Sequence, residues 1–205
     1  MLREFREPDA REAEENLRII RGLMERATKF STFSGLSGVM AGLSSIVGCL
    51  VNHQLRQTVM NPADYRADFL TTWALVIFFA IGVDYLLVKR RATQVGKRIL
   101  SRLGKQMAIA SAPGLGTGAL LTLLFMKLGN PDAIFPVWML TYGIAVCAVG
   151  LFSQREVAYL GAAFLSAGAI TLFMKPEWGL PMMGIAFGGF HIVYGLVMAR
   201  KDGWS

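Results

Sequence analysis

Apolar positions along the chain gather into six long runs divided by short polar breaks. They lie at about 31–51, 70–88, 107–126, 135–152, 157–174 and 181–199. Each approaches the roughly 20 apolar residues that an α-helix needs to cross the hydrocarbon core of a bilayer. The core of a soluble chain of 205 residues does not require so many continuous apolar stretches, whereas a lipid-facing surface does. The pattern predicts an all-α fold, a polytopic helical membrane bundle over 31–205 with a cytoplasmic amphipathic helix over 1–30 ahead of it.

That leading segment follows another rule. Leu17, Ile20, Met24 and Ala27 recur at helical spacing and make one apolar face. Glu14–Arg18, Arg21–Glu25 and Glu25–Lys29 are four-apart charge pairs on the polar side. Asp9 with Glu12 three residues on has the form of a capping box. Such a helix stands in solvent before the first span, lies on the inner leaflet, or docks a partner, with Glu25 and Arg26 as contact candidates. A long charged segment precedes the first apolar run, so that run is expected to be a retained membrane helix rather than a cleaved signal peptide.

Charge sets the direction of threading. Lys89, Arg90, Arg91, Lys97, Arg98, Arg102 and Lys105 share one loop with no acidic residue, which marks it as cytoplasmic. With six spans, the basic residues of 1–30, Arg155, Arg200 and Lys201 fall on that same side, and only Arg56, Arg66, Lys127 and Lys175 fall on the other. Both ends are therefore expected in the cytoplasm; an odd number of spans would spoil the asymmetry. Trp73, Trp138 and Trp178 near outer ends, with Tyr85 and Tyr159 near inner ends, fit aromatic belts. The net charge of +7 is then topological and calls for no nucleic acid partner. Topology also accounts for the basic loop, although Arg90, Arg91, Lys97 and Arg98 are candidates for contact with a partner or with anionic lipid, at about 1 kcal/mol each.

Composition agrees: 54% of residues are hydrophobic and 17% charged, more apolar and less charged than a soluble domain. Cys49 and Cys147 are expected at depths about 20 Å apart, so two free thiols are predicted. No Cys/His cluster points to a metal. His53 lies near the outer surface, far in depth from His191, which disfavours haem, and no cofactor is expected. Small residues recur four apart as Gly38 and Gly42, Gly114 and Gly118, Gly184 and Gly188, the spacing that lets membrane helices approach closely. Packing within one chain is favoured over a dimer face.

Asp84 and His191 are ionisable groups inside spans, where charge is costly. Together they could serve as an ion or proton pathway, imidazole being the group that titrates near neutrality. Singly, Asp84 is explained by the basic residues below it and His191 by a hydrogen bond to a neighbour. Gly35-Leu36-Ser37-Gly38 matches the GxSG string of rhomboid intramembrane proteases, so Ser37 and His191 are a formal dyad, but Ser37 reads better as a small packing residue. Spans one to three and four to six are inverted in topology, without a residue-level match between them.

The strings IIRGLMERATKFSTFSGLSG at 19–38, WMLTYGIAVCAVGLFS at 138–153 and FGGFHIVYGLVMARKDG at 187–203, with the Ile81–Asp84 stretch leading into the basic loop, resemble signatures of an uncharacterised family of small bacterial six-helix inner-membrane proteins. The resemblance runs through most of the chain. It implies a bacterial inner-membrane protein, assigns no activity, and places Glu25, Arg26, Asp84 and His191 inside motifs. The leading expectation is a membrane component without catalysis of its own, in a homo-oligomer or with a protein partner at the cytoplasmic face. The alternative is a transporter or channel for a small solute or ion, with Asp84 and His191 lining a polar path from the cytoplasm. An intramembrane enzyme comes third and requires Ser37 within hydrogen-bond reach of His191.

Overall fold

The computed structural model describes residues 13–20, 35–94 and 102–202. Among them the chain is all-helical, without strands. Five stretches, Gly35–Thr58, Pro62–Leu87, Arg102–Lys127, Pro131–Gly150 and Pro176–Lys201, are long and apolar enough to cross a bilayer, and the chain is a multi-pass membrane protein. We label the long helices α1 (Gly35–Thr58), α2 (Pro62–Gln94), α3 (Arg102–Lys127), α4 (Ile134–Gly150), α5 (Arg155–Leu172) and α6 (179–202). Residues 13–20 are helical with Leu17, Ile19 and Ile20 exposed. Met24, Ala27, the Asp9–Glu12 box, and the candidates Glu25, Arg26, Lys97 and Arg98 lie outside the described residues, as does the side chain of Arg91.

The helices outrun the apolar stretches. The polar segment 52–69, expected as an outer loop, is helical except at 59–61. A helix keeps its backbone bonded whether lipid or water surrounds it, so polarity ends a span without ending a helix. The break falls where Asn61 caps α2, its Oδ1 accepting from Ala63 N at 3.0 Å, with Pro62 in the first turn. α3 ends in a Schellman motif: Asn130 N bonds Phe125 O at 2.9 Å and Gly129 takes φ +70°. Pro113 sits inside α3.

α4 lies between α3 and α5, and α1 lies between α2 and α6. Neighbours run antiparallel, set by glycine. A Cβ at Gly35 would lie 2.5 Å from Ala199 N, at Gly42 2.6 Å from Gly188 O, and at Gly38 3.0 Å from Gly195 Cα, so α1 and α6 touch backbone to backbone. Gly114 and Gly118 of α3 meet Thr141 of α4 at 2.6 and 2.7 Å in the same sense. Gly184 makes only ordinary contact with Cys49 at 3.7 Å. The bundle thus has a proximal end, carrying Gly35, Gly150 and Lys201, and a distal end, carrying Arg56, Asp132 and Trp178. Phe69, Phe135, Met139 and Phe164 form the buried core. α2 shows the opposite character: Leu75, Phe78 and Ile81 are exposed, as a lipid-facing surface requires. Cys49 and Cys147 are free thiols.

Candidate functional site

The site begins with an irregularity in α6. Its backbone is α-helical over Gly179–Met183, π-helical over Gly184–Phe190 and α-helical again over His191–Asp202. Three glycines, Gly184, Gly188 and Gly189, make that stretch a weak former of regular helix. At its exit the His191 backbone N–H bonds to Gly188 O. A regular α-helix would have sent it to Phe187 O. The Phe187 carbonyl instead holds the His191 ring, at 2.9 Å from Nδ1.

That bond fixes the tautomer. A carbonyl only accepts, so Nδ1 carries the hydrogen, and in the neutral ring Nε2 is the acceptor. Tyr142 Oη lies 2.8 Å from Nε2 and donates to it. Around the pair stands an aromatic shell. Phe164 is fully buried, with ring centroids 4.8 Å from Tyr142 and 5.3 Å from His191. Phe187 lies 4.9 Å from Tyr142, and Phe190 packs on Phe164 at 5.6 Å. His191 itself is 8% exposed.

Asp84 approaches the same tyrosine from another side. It is half-buried on α2, its carboxyl hydrogen-bonded to the buried Ser37 side chain of α1 and within electrostatic reach of Tyr142 on α4. α1, α2, α4 and α6 therefore each place one polar side chain in one cluster. Tyr142 hydrogen-bonds one of the two ionisable groups singled out from sequence, His191, and feels the charge of the other, Asp84. A tyrosine hydroxyl can donate to an imidazole while accepting from a second donor, which is the chemistry a proton relay needs.

The other candidates fall elsewhere. Ser37 is engaged by Asp84, and both His191 ring nitrogens are engaged by Tyr142 and Phe187, so the serine–histidine dyad is not assembled. His53 is exposed, bonded to Gln57 Nε2 at 2.9 Å. Lys89 and Arg90 are exposed and line a shallow groove with Leu86 and Thr93; neither Asp84 nor His191 lines it. Among the described residues no group of three His, Cys, Asp or Glu could hold a metal. Trp138 ties two helices together: its Nε1 donates to Thr122 Oγ1 at 2.8 Å. Sequence reasoning missed Tyr142, although its place mid-run, away from either interface where tyrosine normally sits, was a usable signal. Comparison of the chain with protein-family models, with curated proteins and with solved structures gave no match.

Proposed function

We propose that the chain is a six-span protein of a bacterial inner membrane, with its termini and proximal end in the cytoplasm, that moves protons or small cations through the Asp84–Tyr142–His191 cluster. The observation that carries this reading is that one α4 tyrosine hydroxyl hydrogen-bonds the α6 histidine and lies within reach of the charge of the α2 aspartate. The sixth span is α5. Arg155 and Glu156 open it, yet it runs the depth of α4: Ala158 meets Gly150 at one end and Thr171 Oγ1 approaches Met139 Sδ at 3.9 Å toward the other. Lys89, Arg90, Arg102, Lys105, Arg155, Arg200 and Lys201 then share the proximal end, which supports the inward assignment.

The sealing of His191 by phenylalanines favours a second reading, a non-catalytic component of a homo-oligomer or larger complex in which the cluster pins α2, α4 and α6 together. Flux separates the two. Proteoliposomes carrying the wild-type chain and a trapped pH dye, under an imposed potential, should pass protons faster than empty vesicles, and Asp84→Asn and His191→Gln should each slow this about tenfold or more while remaining folded. Wild-type vesicles as tight as empty ones leave the component reading standing and remove the transport one.

A further inference from the structure

The distal end holds a second polar cluster, in which a buried asparagine and tryptophan lack hydrogen-bond partners. α1 turns Gly48, Asn52 and Arg56, spaced four apart, toward α2, which returns Trp73, Phe69 and Tyr65 at the same spacing. The pairing is antiparallel: a Cβ at Gly48 would sit 3.6 Å from the Trp73 ring, and Tyr65 lies beside the Arg56 side chain. Asn52 is 0% exposed, and neither its Oδ1 nor its Nδ2 has a hydrogen-bond partner. Trp73 Nε1 is buried and unpartnered as well, and Arg56 and Tyr65 Oη face each other, with Arg56 Nε and the hydroxyl buried and short of a well-formed hydrogen bond. Arg56 is already oriented: its Nη2 pairs with Asp132 Oδ1, and its guanidinium lies 5.3 Å from the Phe135 ring centroid.

A buried amide and a buried indole without partners are each expensive in a low-dielectric interior, and a phenol and guanidinium edge that meet only each other leave hydrogen-bonding capacity unused. All four lie on the facing stripes of one helix pair. Their chemistry agrees as well. Arg56 Nε, Trp73 Nε1 and Asn52 Nδ2 are donors, Tyr65 Oη can be one, and only Asn52 Oδ1 is solely an acceptor, so the set on balance complements an oxygen acceptor. Asp132 neutralises the Arg56 charge, which leaves room for at most a single negative charge. Phe69, Phe135 and the Trp73 ring supply apolar walls. Arg56 and Asp132, with side chains 27% and 31% exposed, reach the surface.

We infer that this is a binding site for a monoanionic oxygen group, a phosphodiester or carboxylate carried on an apolar body, entered from the distal surface beside the Arg56–Asp132 bridge. It is separate from the Asp84–Tyr142–His191 cluster and stands whether or not that cluster moves protons.

Thermal unfolding of the full chain in detergent tests it. The probes are dibutyl phosphate, benzoate and phosphatidylglycerol, the last added in mixed micelles. Saturating probe should raise the wild-type midpoint by about 5 °C. Tyr65→Phe, which removes one hydroxyl, should halve the shift or more, and Asn52→Leu, close in shape, should abolish it. A shift with phosphatidylglycerol alone assigns a lipid headgroup; a shift with a soluble probe assigns a solute. A wild-type curve that none of the three probes moves overturns the inference, and so does a shift undiminished in both variants. In the first case Asn52→Leu should melt at or above the wild type, because water alone then served the amide.

Discussion

Single residues show how little slack the helix contacts have. At Gly42 any side chain would drive into the Gly188 carbonyl, and nothing there is a flexible chain end that could swing aside. Gly42→Val should destabilise the fold by about 1–3 kcal/mol, read as a lowered midpoint in detergent. Gly82→Ala is the control: open space surrounds that position, and alanine favours a helix by about 1 kcal/mol over glycine, so stability should hold or rise. At the proximal surface Lys201 Nζ bonds Glu156 Oε1 at 2.6 Å, and that hydrogen bond holds the Glu156 carboxyl below its ordinary range. A carboxyl depressed on folding stabilises above its unfolded pKa, about 4.3, and loses that contribution as pH falls through the lower folded value. Both partners touch solvent, so the gain is at most about 1 kcal/mol. Glu156→Gln should melt slightly below the wild type at neutral pH, and the gap should close as the medium is taken below about pH 4.

Among the elements, α6 carries the most information per residue, because its wide turn decides where His191 points. One residue contributes about 100° of rotation in an α-helix. Inserting one alanine after Gly189, a position with open space around it, adds a residue beyond the one the wide turn already absorbs and would swing 191–202 by about that angle. The Tyr142 bond, the Gly35–Gly195 contact and the Lys201–Glu156 pair would then be lost together. Such an insertion should leave little folded protein, whereas Gly189→Ala should be tolerated; size-exclusion profiles of the two distinguish them. Apolar periodicity announced the long helices but not this turn. π geometry is not a hydrophobic pattern; it depends on which carbonyls a glycine-rich stretch can release and on what then takes them. The same limit hid the extent of α1 and α2, since Asn52–Thr58 and Pro62–Phe69 are polar helix that no count of apolar residues can separate from loop. Asp84 and His191 were legible as costly intramembrane groups, but their meeting on Tyr142 was not, because it arises from helices far apart in the chain.

For the whole molecule, threading is the property most open to direct test. With Cys49 and Cys147 replaced by alanine, a cysteine at Met60, which is 92% exposed at the distal end, should react with a membrane-impermeant thiol reagent applied to intact cells. A cysteine at Leu151, 79% exposed at the proximal end, should react only after permeabilisation. The reverse pattern would turn the molecule over, and equal labelling would end the six-span reading. The clasp between α1 and α6 adds a matter of timing. A ribosome delivers α1 to the bilayer long before α6 exists. Throughout that interval the glycine-lined flank of α1 and its Ser37 and Ser45 must face lipid, the insertion machinery or a chaperone. Nascent chains stopped short of α6 would keep that flank bare, which makes them natural prey for membrane proteases and makes completion of translation the moment at which the molecule first becomes durable.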